Sequence, residues 1–367
     1  MSEEKTYRVG AIGRTGGGGF GHRLHKSTIG VERADLVAVA DPDGEGRRQA
    51  AEETGAERTY ADYREMLKVE DLDMAIVCPR WVDCHEEMVT ACVEAGCHVY
   101  CEKPFAPSLE AGDRMVAAAD RAGVKLAVAH QGVYLSQIHA VKRLLEEGRI
   151  GEVQAMYTQG SQDHRGGGED MMVLGTHLFN MMRFFTGDVA WMSAHVTTAG
   201  RDIEASDVHE GYEPCYLVAG DCIHSYFAFH SGVSGFFSSR ANHPGGGPGP
   251  MGTEIVGREG RLYFRSAASR IAIYSHGLWA PEDRSQQWAL LSLEMDELED
   301  GNRLAILDLI EAIEEDRDPI SSGRDGLAAL EMILGAYASQ ITGARVLFPA
   351  ADRSHPLERL RAGKEGP

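Results

Sequence analysis

The stretch YRVGAIGRTGGGGFG (residues 7–21) decides how the rest of the chain is read. Its first seven residues form a short apolar run ending in glycine, which suits a buried parallel strand. The strand runs into a glycine-rich turn and then a helix-like segment at about 21–30. Within the turn Gly16, Gly18 and Gly21 satisfy G-x-G-x-x-G, two residues later than the tightest placement after Gly13, with Thr15 inside the same turn. Glycine is needed there because a side chain would hold the backbone away from a diphosphate, whose charge meets the amides opening the next helix. The pattern alone is weak, since any polyglycine run contains it. Its context is LVAVADPD (residues 36–43), a second apolar strand that stops at Asp41. Asp41 lies about 20 residues past Gly21, where a carboxylate accepts both hydroxyls of a ribose. That charge repels a 2′-phosphate and favours NAD over NADP, while Arg47 and Arg48 keep NADP open. The rival reading is a flexible loop followed by a turn aspartate.

Working outward, MAIVC (residues 74–78), HVYC (98–101) and KLAVA (125–129) supply three more buried runs. Helix-like segments fall between the runs at about 45–54, 61–67, 83–95 and 108–122. Strands alternating with helices of this length imply βαβ units and a parallel, doubly wound sheet. Past about residue 150 the texture changes. Residues 153–159, 195–198, 216–218, 223–229, 235–239, 254–256, 262–264 and 271–274 read as successive strands joined by Gly-rich turns. Such a run implies a mainly antiparallel sheet and α+β character. A helix at about 170–185 interrupts it, helices at about 303–315 and 325–341 follow, and Pro244–Pro250 reads as a flexible loop. The expected fold is therefore α/β: a Rossmann dinucleotide-binding domain over residues 1–130 and an α+β domain over 131–367.

The 367 residues suit two domains of ordinary size. Lys and Arg number 36 against 56 Asp and Glu, a net charge of −20, which argues against nucleic-acid or anionic-membrane partners. No stretch approaches the roughly 20 apolar residues that span a bilayer. Met1–Lys5 lacks the order of a secretory signal. The seven cysteines contain no C-x-x-C pair and read as reduced, mostly buried residues of a cytoplasmic protein. Among the histidines, His22 with His25, His139, and His224 with His230 offer no consistent ligand set, so no metal is expected.

YCEKP (residues 100–104), preceded by AGCHV (95–99), resembles the Gfo/Idh/MocA oxidoreductase family. Cys78-Pro79 with His85 ahead of the 83–95 helix, GRIGEV (148–153) and GTH (175–177) extend the resemblance over nearly the whole chain. It implies a large, open, mainly antiparallel sheet in the second domain and homodimers or homotetramers formed through that sheet. It also implies reversible oxidation of a secondary hydroxyl on a sugar, cyclitol or polyol. Pro79, His85, Glu102 and Lys103 then join the glycine loop as cofactor-binding residues, and Lys103 and His177 sit beside the reacting carbinol. Hydride leaves a carbinol carbon only as the hydroxyl proton departs, so a base within hydrogen-bond reach is required. A lysine against a desolvated wall has its pKa lowered towards neutrality and suits that role.

The family commonly carries an aspartate four residues before the helix histidine, and this chain has Val173 there. A carboxylate orienting His177 from that position is absent. Asp170 is the nearby candidate for a catalytic role, although it equally suits a helix cap. His130 and Gln131 leave the fifth strand where ligands bind in open α/β sheets. His164 and Arg165, in the Gly-rich loop of residues 163–168, are further substrate-binding candidates. Core packing for His177 and an exposed strand end for Lys103 are the bland alternatives. Two other functions stay open: a glycosidase or lyase that oxidises its sugar transiently on retained NAD, and a non-catalytic dinucleotide sensor.

Overall fold

The computed structural model describes residues 5–242, 251–275 and 287–363. The Pro244–Pro250 loop and residues 1–4 lie outside that range. The chain divides into two compact units at Gln131 and Gly132. The first also takes Glu213–Tyr216 and Glu299–Ala328 from later in the chain.

The first unit is built on a wholly parallel sheet. Its strands are Tyr7–Ile12 (β1), Ala34–Ala40 (β2), Arg58–Tyr60 (β3), Met74–Val77 (β4), His98–Cys101 (β5) and Leu126–Val128 (β6). The order is β3-β2-β1-β4-β5-β6, with the crossover at β1. Gly44–Thr54 (α1), Tyr63–Val69 (α2), His85–Glu94 (α3) and Leu109–Ala122 (α4) make the connections. Side chains on both faces of the central strands are buried, among them Val9, Ala11, Val39, Ile76, Val77, Val99 and Tyr100. That burial is why these strands read as unbroken apolar runs rather than alternating ones. Asp43 caps α1 by accepting from the Gly46 amide, and Ser108 caps α4 through the Ala111 amide.

The later Asp300–Glu314 helix completes this unit. Its Asn302 Oδ1 accepts from the Tyr100 hydroxyl at 2.8 Å, and Ser321 beyond its end returns a backbone bond to the Val128 amide. Sequence periodicity located this helix but not the unit it packs into.

The segment after β1 differs from expectation. No α-helix forms over 21–30; Gly21–Lys26 is a 3-10 turn with left-handed φ at His22 and Arg23. The Gly21 amide bonds the Cys78 carbonyl, which turns the chain before an α-helical ladder can start. β3 was not foreseen, because three residues carry too little periodicity to read.

The second unit is dominated by a ten-stranded sheet. Its central strands are Val153–Gln159 (β7), Val189–Thr198 (β8), Cys222–Phe229 (β12), Ser234–Arg240 (β13), Gly252–Gly257 (β14) and Arg261–Phe264 (β15). Short strands Arg201–Asp202 (β9), Ala272–Tyr274 (β16), Ala289–Leu290 (β17) and Val346–Leu347 (β18) complete it, and His209–Glu210 (β10) pairs separately with Leu217–Val218 (β11). β13 and β7 run parallel and the other pairs antiparallel. One face packs Met156, Met192, Phe227 and Phe237 into the core, where Phe179 meets the Phe227 and Phe237 rings at 5.3 and 4.9 Å.

The expected 170–185 helix runs from Gly168 to Thr186, with a π-helical stretch at Met171–Gly175. A helix at Ser136–Glu146 went unread. Among the described residues no helix is long and apolar enough to cross a membrane.

Candidate active site

The carboxyl ends of β1, β2, β4 and β5 gather the expected cofactor-binding residues in the first unit. The Gly13 amide bonds the Ala40 carbonyl, so the turn begins against β2. Arg14 and Gly19 pair as a short bridge, and the loop between them is closed by left-handed Gly16, Gly18 and Gly19. A Cβ on Gly18 would sit 2.5 Å from the Arg80 amide nitrogen, so only glycine lets this loop lie against the turn after β4. At Gly13 the neighbour is the Phe20 ring, 2.3 Å from where a Cβ would stand.

Asp41 is 1 % exposed and faces this loop. Its carboxylate accepts from the Thr15 amide at 2.9 Å, from the Thr15 hydroxyl at 2.9 Å and from the Asp43 amide at 2.8 Å. Arg47 donates to the Asp41 backbone carbonyl, and Arg48 is engaged by Glu45 and Glu52.

Glu102 and Lys103 leave the end of β5. The Glu102 amide bonds the Val77 carbonyl at 2.9 Å, which aligns them with the Cys78-Pro79-Arg80 turn leaving β4. Glu102 is fully buried; Oε1 meets His22 Nδ1, and Oε2 has no hydrogen-bond partner among the described residues. Lys103 is 3 % exposed, and burial pushes its ammonium below the usual lysine range. The charges of Glu102 and Glu213 oppose that shift, and Arg80 adds to it. His85 is buried with Nε2 2.6 Å from the Pro79 carbonyl and Nδ1 3.1 Å from the Phe105 carbonyl, bracing the turns after β4 and β5. His130 is buried with Nδ1 3.0 Å from the Ser321 hydroxyl, and Gln131 beside it is buried too.

The remaining candidates belong to the second unit. His177 is half-buried in the first turn of the Thr176–Thr186 helix, and Val173 lies in the π-helical stretch before it. Asp170 is 1 % exposed and does not cap the helix, which starts at Gly168; its carboxylate instead accepts from the Ser161 and Ser239 hydroxyls. Those bonds tie the helix start to β13 and to the turn leaving β7. His164 is exposed, edge-on to Tyr212 at 6.1 Å. Arg165 pairs with Asp163 at 2.8 Å and pulls that carboxyl down to about 2.

Four participants were not foreseen: His22, Arg80, Glu213 and Ser321. His22 and Arg80 sit within motifs already read, and neither residue type marks such a role. Glu213 and Ser321 are more than a hundred positions from their neighbours, and no local pattern points to them. No group of three or more His, Cys, Asp or Glu placed to hold a metal occurs among the described residues.

The residues present fit a dinucleotide. The loop is stripped of side chains at its left-handed positions, a buried carboxylate closes β2, and Glu102 keeps one buried oxygen available to a hydroxyl. A Rossmann unit carrying such a turn, followed by a mainly antiparallel sheet, defines a class of two-unit dinucleotide-binding proteins.

Comparison with known proteins narrows that class. Residues 8–130 match the family model described as "Oxidoreductase family, NAD-binding Rossmann fold", and residues 138–263 match "GFO/IDH/MocA C-terminal domain". The chain belongs to the Gfo/Idh/MocA family. Among its relatives is a D-apiose dehydrogenase of Paraburkholderia graminis, 33% identical over 203 residues, covering 52% of this chain and 54% of the relative. A myo-inositol 2-dehydrogenase of Thermotoga maritima is 28% identical over 189 residues, 49% of this chain and 55% of the relative. The chain thus spans about half the length of the curated relatives it matches. An oxidoreductase from Agrobacterium radiobacter, solved in complex with NAD+, L-tartaric acid and magnesium, superposes with a TM-score of 0.74. It is 19% identical, the match covers 94% of this chain and 98% of that one, and it establishes the shared fold alone.

Proposed function

We propose that the chain is an NAD-dependent dehydrogenase acting on a secondary hydroxyl of a sugar, cyclitol or polyol. The observation that carries this reading is Lys103, an amine 3 % exposed at the carboxyl end of β5, with its pKa lowered by burial. A nicotinamide, when bound, accepts or returns the hydride. The protein must then move the carbinol proton, and a lysine whose pKa is lowered by burial suits that role better than an ordinary exposed one. His177 is proposed as the second proton-handling residue. His130, Gln131, His164 and Arg165 are proposed to bind substrate, and the D-apiose and myo-inositol relatives support a polyhydroxylated one.

Asp41 favours NAD. Its charge is buried beside the loop, and neither arginine that kept NADP open points a spare guanidinium at a phosphate: Arg47 is on the Asp41 carbonyl and Arg48 on two glutamates. Six of the seven free cysteines are buried, which fits a reducing cytoplasm.

The test is Lys103→Met, assayed with a panel of sugars and polyols including myo-inositol and D-apiose. Turnover should fall about 10²- to 10⁴-fold. NADH binding, followed by fluorescence titration, should be nearly unchanged. Loss of NADH binding with unaltered turnover per bound enzyme would make Lys103 a structural residue and overturn the assignment.

Val173, in place of the family's aspartate, favours one second reading: a transient oxidation followed by elimination and re-reduction on retained NAD. Product release without accumulating NADH distinguishes it from net oxidation.

A further inference from the structure

His22 and Arg23 follow the glycine loop with left-handed φ of 45° and 60°, the one consecutive pair of such non-glycine residues among the described residues. That region is unfavourable for a residue with a side chain, and it persists only where the surroundings hold it. The Gly21 amide bonds the Cys78 carbonyl at 2.8 Å, and the Arg23 amide bonds the Phe20 carbonyl at 3.0 Å. Asn302 Nδ2 donates to the His22 carbonyl at 3.4 Å, while its Oδ1 accepts from the Tyr100 hydroxyl. His22 is thus tied to the turn after β4 and, through Asn302, to β5.

The turn so held presents an imidazole to Glu102. A carboxylate only accepts, so His22 Nδ1 donates to Oε1. The His22 side chain is 33% exposed and that of Glu102 1%. Glu102 Oε2 has no hydrogen-bond partner among the described residues. Such an oxygen is costly to bury without a donor. The carboxylate cannot swing Oε2 towards another donor without giving up its bond to His22.

Sheet order puts β2 on one side of β1, and β4 and β5 on the other. In such sheets the diphosphate lies at the turn after β1, and the two riboses of a dinucleotide fall on opposite sides of it. Asp41 closes β2, whereas Glu102 follows β5, whose last residue Cys101 pairs with Val77 of β4. We propose that His22 is the positioning residue of Glu102, pinning Oε1 so that Oε2 accepts from a hydroxyl of the ribose on the nicotinamide side. The inference rests on the reading of this chain as an NAD-dependent enzyme and adds to it the residue that sets the second ribose. The strained turn after the glycine loop then has a task, which is to aim one imidazole at one buried oxygen.

Cofactor binding, rather than turnover, tests this. His22→Gly removes the imidazole and suits a left-handed turn. His22→Asn keeps an N–H donor on Cγ, where Nδ1 stood, and tolerates the same φ. NADH is titrated by fluorescence, and ADP, which lacks the second ribose, by calorimetry. In His22→Gly the Kd for NADH should rise about tenfold, as for one lost hydrogen bond to a charged group, and that for ADP should stay within about twofold. His22→Asn should recover most of the NADH affinity. Added to Glu102→Gln, His22→Gly should weaken NADH no further, because the histidine acts through the carboxylate. Unchanged NADH affinity in His22→Gly overturns the inference. So does an equal loss for ADP, which is the result of a deformed glycine turn, and so do additive losses in the double variant. A wild-type chain that binds neither NADH nor ADP would instead sink the underlying reading, so the two failures are told apart.

Discussion

At the scale of single residues, Asp41 has one shown role and one proposed. Its oxygens hold Thr15 and so shape the glycine loop, and on the NAD reading proposed above its carboxylate disfavours a phosphate on the ribose. Like charges brought together at a binding site cost several kcal/mol. Replacing Asp41 with Ser should therefore lower the ratio of kcat/KM for NAD over NADP by about tenfold or more. Steady-state kinetics with both cofactors measures it, and an unchanged ratio would remove Asp41 from specificity. Asp41 was legible in the sequence because it terminates an apolar strand after the glycine turn, and Lys103 because Glu-Lys-Pro at the end of the fourth apolar run resembles a family motif. Glu213 and Ser321 were not. Each reaches its partner through a long excursion of the chain, and the physics that places it is tertiary.

At the scale of elements, the legible parts are those whose stabilisation is local. Helices α1 and α4 carry their own capping side chains, and the central strands of the first unit announce themselves by burial on both faces. The Gly21–Lys26 turn defeats such reading, because its shape follows from the Cys78 carbonyl and from His22 meeting Glu102. The helix bearing His177 depends on an anchor that periodicity also hides. Asp170 is buried at its start with two serine hydroxyls donating to it. Asp170→Ala strands the buried Ser239 hydroxyl in the interior and should cost about 1–3 kcal/mol. Denaturant unfolding measures this. If Asp170 acts only as an anchor, the isosteric Asp170→Asn should lower stability while leaving the pH profile of turnover in place. A displaced profile would return Asp170 to the chemistry.

At the scale of the molecule, the second face of the ten-stranded sheet carries a row of aromatic side chains. Trp191, Tyr226, Phe236 and Tyr157 form a ladder across β8, β12, β13 and β7, with neighbouring ring centroids 5.2, 5.3 and 4.7 Å apart. Tyr157 is 45% exposed and Tyr263 39%. We propose that a second copy of the chain covers this face, which suits aromatic enrichment at interfaces. The protein should sediment as a dimer or larger. Tyr157→Glu combined with Phe236→Glu should shift it to monomer without lowering its helix and strand content by circular dichroism. A wild-type protein that sediments as a monomer at micromolar concentration would refute that.

The first unit is stitched from three separated stretches of chain, and that fixes the order in which it can mature. When the ribosome has released Gln131, all six parallel strands exist, yet Tyr100 has no Asn302 and His130 has no Ser321. Those partners arrive only after the whole ten-stranded sheet except β18 has been synthesised. The first unit begins first and is completed only after most of the second has been made.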